Sequence, residues 1–139
     1  MVWLRVISLS FLLFLISCDN YPKDPEDTLM RVQENGLRVG FEDDPNLKQL
    51  AIDLSRNLKV KLIRINRPQE TLLEDLKAFK IHLMIGRLSP DSPWKKHVGF
   101  TRPYKDKNGE DFLLAIPPGE NAFLRKVEAF LSERYERVK

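Results

Sequence analysis

Few side chains in this sequence can carry chemistry, and their spacing narrows what they can do. Cys18 is the only cysteine, so no internal disulfide can form. His82 and His97 are the only two histidines, too few for a convincing metal site, and both read as polar residues at strand starts. Glu74 and Asp75 are adjacent on a helical stretch and point in different directions. No nucleophile, base and orienting group stand together as a set, so the chain does not read as an enzyme and implies no cofactor or metal. The stretch from Gly86 to Tyr104 is richer, with Arg87, Ser89, Asp91, Trp94, Arg102 and Tyr104. A tryptophan ring with an aspartate nearby suits a cationic or aromatic ligand.

The amino end sets the compartment. Arg5 precedes an apolar run from Val6 to Ile16, eleven residues long. A membrane-spanning helix needs roughly 20 apolar residues, so the run matches the core of a secretory signal instead. It closes in Leu15-Ile16-Ser17-Cys18, which resembles the lipobox of bacterial lipoproteins. That resemblance implies cleavage before Cys18 and diacylglycerol on its sulfur, which places the chain at the periplasmic face of the cell membrane. Asp19 after the cysteine resembles the enterobacterial signal for staying at the inner membrane. Residues 1–17 are then the signal peptide and 18–27 a polar tether containing Pro22 and Pro25. Residues 28–139 are long enough for one domain. The formal charge is +3, with basic and acidic residues interspersed. No basic stripe or nucleic-acid motif stands out, and export also argues against a nucleic-acid partner.

The elements that must position these residues alternate. Asp27 to Asn35 reads as a short helix closed by Gly36, Leu37 to Phe41 as a strand, and Asn46 to Asn57 as an amphipathic helix. Lys59 to Ile65 is a second strand, Thr71 to Phe79 a second amphipathic helix, and Ile81 to Ile85 a third strand. Strand-helix crossovers of this length return parallel and right-handed. Ser89 to Pro93 is a loop, Trp94 to His97 one helical turn, and Phe100 to Tyr104 extended. Lys105 to Glu110 is a polar turn, Asp111 to Ile116 a fourth strand, and Glu120 to Arg137 a closing helix. The expected fold is an α/β three-layer sandwich around a mostly parallel sheet of about four to five strands. Phe41 to Pro45, with Asp43, and Gly86 to Asp91 then share the carboxyl edge of the sheet, where open parallel sheets bind ligands.

Specific words in the sequence sharpen this. Asn35-Gly36-Leu37-Arg38-Val39-Gly40, Leu76 to Gly86, and His97-Val98-Gly99-Phe100-Thr101-Arg102-Pro103-Tyr104 resemble family-3 bacterial extracellular solute-binding proteins, the receptors that feed amino acids and similar solutes to ABC importers. The resemblance covers Thr28 to Tyr104. Phe112 to Pro117 and the helix after Gly119 look like the segment by which such chains return from their second lobe. Only six residues separate Tyr104 from Asp111, so the resemblance implies a single lobe of the periplasmic binding protein type II fold, its return strand antiparallel.

The resemblance also locates a site. Ser89 and Asp91 fall on family threonine positions, and Trp94 falls on the arginine that holds the ligand α-carboxylate through paired hydrogen bonds. A single indole N–H cannot replace that fork. Arg87 and Arg102 lie close enough in sequence to supply the charge, or are plain surface residues. Trp94 either contacts ligand or packs on the sheet edge. Phe41 is either a ligand contact or core. Two readings follow. In the first, the chain is a tethered module that binds a small polar solute, weakly or with a partner's help, and presents it to a membrane transporter or sensor. In the second, the surface around Phe41, Ser89, Trp94 and Tyr104 binds another protein, homodimerisation being one form of this.

Overall fold

A computed structural model describes residues 23–139. The lipobox, Cys18 and most of the tether lie outside the described residues. Helix α1 (Thr28–Asn35) leads into strand β1 (Leu37–Phe41), α2 (Pro45–Leu58), β2 (Leu62–Ile65), α3 (Gln69–Lys77) and β3 (Leu83–Gly86). A 3-10 turn (Pro93–Lys96) then precedes β4 (Gly99–Phe100), β5 (Tyr104–Lys105), β6 (Asp111–Ile116), α4 (Asn121–Arg134) and β7 (Glu136–Arg137).

The sheet order is β2-β1-β3-β6-β5-β7, with β4 also paired to β6. β1 lies parallel to both β2 and β3. β6 runs antiparallel to β3, with Met84 opposite Ala115 and Gly86 opposite Leu113. The return strand therefore enters the central ladder, as expected, and the hairpin-short turn of Lys105 to Glu110 closes a complete lobe.

Two apolar layers sandwich the sheet. Leu47, Leu50, Ala51 and Leu54 of α2 recur on one helical face and are buried with Val32 of α1 and Phe123, Val127, Phe130 and Leu131 of α4. On the other face Leu72, Leu73 and Leu76 of α3 pack with Met84, Leu113 and Val98. Gly40 permits this closeness, because a Cβ there would lie 2.4 Å from Leu72 Cδ2.

Three elements differ from the sequence reading. The extended stretch Phe100 to Tyr104 splits into β4 and β5 because Pro103 has no N–H to donate. Thr101 repairs the gap: its Oγ1 accepts from the Leu114 N–H at 3.0 Å, and its own N–H donates to Leu114 O at 2.9 Å. The last helix stops at Arg134 rather than Arg137, since Glu136 and Arg137 pair with β5. α3 begins at Gln69, directly after Pro68.

Candidate functional site

Phe41 and Ile85 are register partners at the carboxyl ends of β1 and β3, and β6 starts beside them. This brings together the loop after β1, the loop after β3 and the β5–β6 turn. Arg87 joins all three. Its Nη2 lies 2.8 Å from Asp44 Oδ2, 2.8 Å from Asp106 Oδ2 and 2.9 Å from Glu110 Oε2. Asp106 Oδ1 also accepts the N–H groups of Asn108 and Glu110 at 2.8 and 3.0 Å, so one carboxylate fixes both the turn and the arginine. The hydrogen bond from Arg87 holds the Asp106 carboxyl below the usual carboxylate range. At Asp44, partial burial opposes ionisation, but Arg87 and the N–H groups of Asn46 and Leu47 outweigh it and lower the pKa. Asp106 above all, then Asp44 and Glu110, raise that of Arg87 against some desolvation. Asp44 is also the N-cap of α2, its Oδ1 accepting from the Asn46 N–H at 2.8 Å.

The Arg87 charge is thus spent inside the lobe on three acids, and Arg87 offers no free guanidinium to a ligand carboxylate. Glu42 is the reverse case. Its carboxylate folds over the carboxyl end of β3, with Oε1 3.2 Å from where a Cβ on Gly86 would sit. It has no ion-pair or hydrogen-bond partner among the described residues. Sequence reasoning passed over Glu42, although its place directly after β1 was the available signal. Next to it, Asp43 pairs with Lys48. Phe41 is half-buried against the α1–α2–α4 core and lines a shallow cleft of about 180 Å³ with Asp43, Lys48, Arg64, Ile65 and Asn66.

The loop after β3 holds the other expected residues. Ser89 Oγ accepts the Asp91 N–H at 3.2 Å, and Asp91 is exposed, 3.7 Å from Lys95 Nζ. Trp94 is half-buried against the α3-side core and meets His97 edge-on at 6.0 Å, lining a cleft with Glu74 and Lys77. That cleft shares no residue with the one around Phe41 and Asp43. Arg102 and Tyr104 leave the edge altogether. Arg102 is exposed, and its backbone N–H donates to Glu128 Oε1 of α4 at 2.9 Å. Tyr104 is fully buried beside Phe112 and cannot touch a ligand; its hydroxyl has no hydrogen-bond partner.

His82 is buried, and its Nδ1 accepts the Arg38 N–H at 3.1 Å. Burial, reinforced by the positive charges of Arg38 and Arg31, pushes its pKa down to about 4. Among the described residues no cluster of His, Cys, Asp and Glu could hold a metal, and no helix is long and apolar enough to cross a membrane.

No family profile matches the chain, and no curated protein matches it by sequence. Solved structures do. The arginine-bound domain 1 of TmArgBP, the arginine-binding protein of T. maritima, is 25% identical with a TM-score of 0.61, covering 70% of this chain and 91% of that one. A point mutant of the same domain, also arginine-bound, is 24% identical with a TM-score of 0.67, covering 76% of this chain and 96% of that one. An ancestral cationic amino acid solute-binding protein is 21% identical with a TM-score of 0.50, covering 58% of this chain and 45% of that one. The fold is that of one lobe of a periplasmic solute-binding protein.

Proposed function

We propose that this chain is a lipid-anchored, exported solute-binding module that takes a cationic amino-acid-type ligand on the carboxyl edge of its single lobe. The observation that carries this reading is the charge of that edge. Arg87 is consumed by Asp44, Asp106 and Glu110, while Glu42 stands unpaired over Gly86 and the exposed Asp91 lies on the adjoining loop. An ammonium or guanidinium group arriving at Glu42 meets uncompensated negative charge, whereas a carboxylate arriving there is repelled. The arginine-bound form of an isolated domain with this fold supports a lone lobe as a binding unit.

One lobe walls in a ligand on one side only, and small-molecule sites bury roughly 70–90% of their ligand. Affinity is therefore modest, and delivery to a membrane transporter or sensor, which supplies the second wall, fits a tethered module. Calorimetry with arginine, lysine and agmatine is the direct test. Agmatine lacks the carboxylate, so it binds at least as well as arginine. Glu42→Gln weakens both by roughly tenfold, the loss of one charge-assisted contact. Absence of heat with all three ligands at millimolar concentration rejects the reading.

A further inference from the structure

We propose that the opposite edge of the sheet, at the amino ends of the parallel strands, is a docking surface for the anionic headgroups of the membrane. The proposal rests on the lipid-anchor reading for its orientation and on the structure for its chemistry.

The topology puts the anchor at this edge. β6 is antiparallel to β3, so its carboxyl end, Ile116, lies beside the start of β3, and Glu120 follows below it. Glu120 accepts the N–H groups of Glu26 and Thr28 at 3.0 Å each, and Asp24 accepts those of Ala122 and Phe123 at 2.7 and 3.0 Å. The chain entering from the tether is therefore pinned to this edge, and α1 runs from there to the start of β1. From Cys18 to Lys23 the chain spans at most about 18 Å when fully extended. A lipid on Cys18 keeps this edge against the bilayer and turns the Glu42 edge away from it.

The same edge is basic and partly apolar. Arg38 in β1 and Lys61 just before β2 are exposed and have no ion pair among the described residues. Arg38 and Lys80 line a cleft of about 230 Å³ with Phe79 and a single acid, Asp75, and the cleft extends along the α3 face to Ile65, which ends β2, and Arg67. Asp75 is already held by Arg67 at 2.7 Å, with Lys80 at 3.9 Å. The acids of this edge are Asp24 and Glu120, both occupied by backbone N–H groups, Glu26, paired with Arg31 at 3.6 Å, and the exposed Asp27 and Glu34. Two apolar groups belong to the elements that meet at this edge. Met30 of α1 is 54% exposed, the one large hydrophobic side chain so exposed among the described residues. Phe79 closes α3 in the left-handed conformation, φ +58°, with the Lys80 N–H returning to Asp75 O at 2.8 Å, a position that glycine fills at less cost than a bulky side chain. Cations that meet phosphates beside apolar side chains that enter the headgroup boundary are the composition of an interfacial contact.

The test uses the full, processed chain reconstituted in vesicles of phosphatidylcholine alone or mixed with phosphatidylglycerol. A dye is attached at Asn35→Cys on this edge or at Asn108→Cys on the far turn, and quenched by headgroup-labelled lipid. With phosphatidylglycerol, the dye at 35 is quenched roughly threefold more than the dye at 108, and Arg38→Glu with Lys80→Glu abolishes the difference. Phe79→Gly raises the melting temperature yet reduces the quenching, a pairing that a purely structural role for Phe79 does not give. Equal quenching at both sites, or no response to charge reversal, overturns the proposal. Cys18 is the only native cysteine, so uptake of dye by the otherwise unsubstituted chain reports failure of the anchor reading separately.

Discussion

Arg87 and Asp106 meet at 2.8 Å across the mouth of the lobe, joining the loop after β3 to the turn that stands where a second lobe would otherwise begin. The Asp106 side chain is 4% exposed, so removing Arg87 leaves a little-hydrated carboxylate without its counter-charge. Arg87→Ala therefore costs about 2 kcal/mol of stability, the scale of a charge-assisted hydrogen-bond set. Arg87→Lys recovers only part of this, since a single ammonium cannot replace the planar fork. Urea unfolding of the three proteins reads both effects; equal midpoints make the contact incidental.

Acid unfolds the lobe in two stages with distinct causes. The His82 pKa falls from 6.5 to about 4 on folding, so the unfolded chain binds the proton first. Its contribution is fully present above pH 6.5 and is lost as pH falls to about 4, amounting to about 3 kcal/mol. Asp44 and Asp106 have folded pKa values lowered below 3.8, so their contribution is present above that value and lost only as pH falls further. His82→Gln removes the upper window and leaves the lower one. A stability profile by denaturant titration from pH 7 to pH 3, the range suggested by these values, separates them; an unchanged upper slope in the variant rejects the assignment.

Tyr104 offers the opposite sign. Its ring is packed in the core, but its hydroxyl is buried without a partner. Deleting an unsatisfied buried hydroxyl removes a desolvation cost without opening a cavity of any size. Tyr104→Phe gains about 1 kcal/mol, which moves the melting temperature up by roughly 4–8 °C in a domain of this length. A lower melting temperature shows that the hydroxyl has a partner after all.

What the sequence revealed and what it hid divide along the range of the interactions. The α2 stripe of Leu47, Leu50, Ala51 and Leu54 is local periodicity, and each member is buried as the spacing requires. The antiparallel entry of β6 was what the family resemblance implied, given the six-residue turn between Tyr104 and Asp111. Arg87 was visible, but its partners stand 43 and 19 positions away, and only the folded edge gathers them. Glu42 stayed hidden because its significance comes from Gly86, a residue with no side chain to signal anything. The pairing of Glu136 and Arg137 with β5 is likewise nonlocal, and their helix-like composition pointed the other way. Tyr104 was misplaced for a related reason: a word shared with a family fixes where a residue lies along the chain, while burial beside Phe112 depends on the rest of the core.

Gly40 shows how closely this lobe depends on helix-to-sheet distance. A Cβ at Gly40 would sit 2.4 Å from Leu72 Cδ2 and 2.9 Å from Cδ1, closer than carbon atoms approach. Both atoms belong to a side chain buried to 1% exposure within the α3-side core, so Leu72 has little room in which to turn aside. Gly40→Ala must therefore lift α3 from β1, at a cost of about 1–3 kcal/mol. Leu72→Ala alone opens a cavity and costs about 2–5 kcal/mol. In the double variant the new methyl occupies part of that cavity, so the combined loss is smaller than the sum of the single losses. Chemical denaturation of the four proteins closes the cycle, and simple additivity contradicts a direct contact between the two positions.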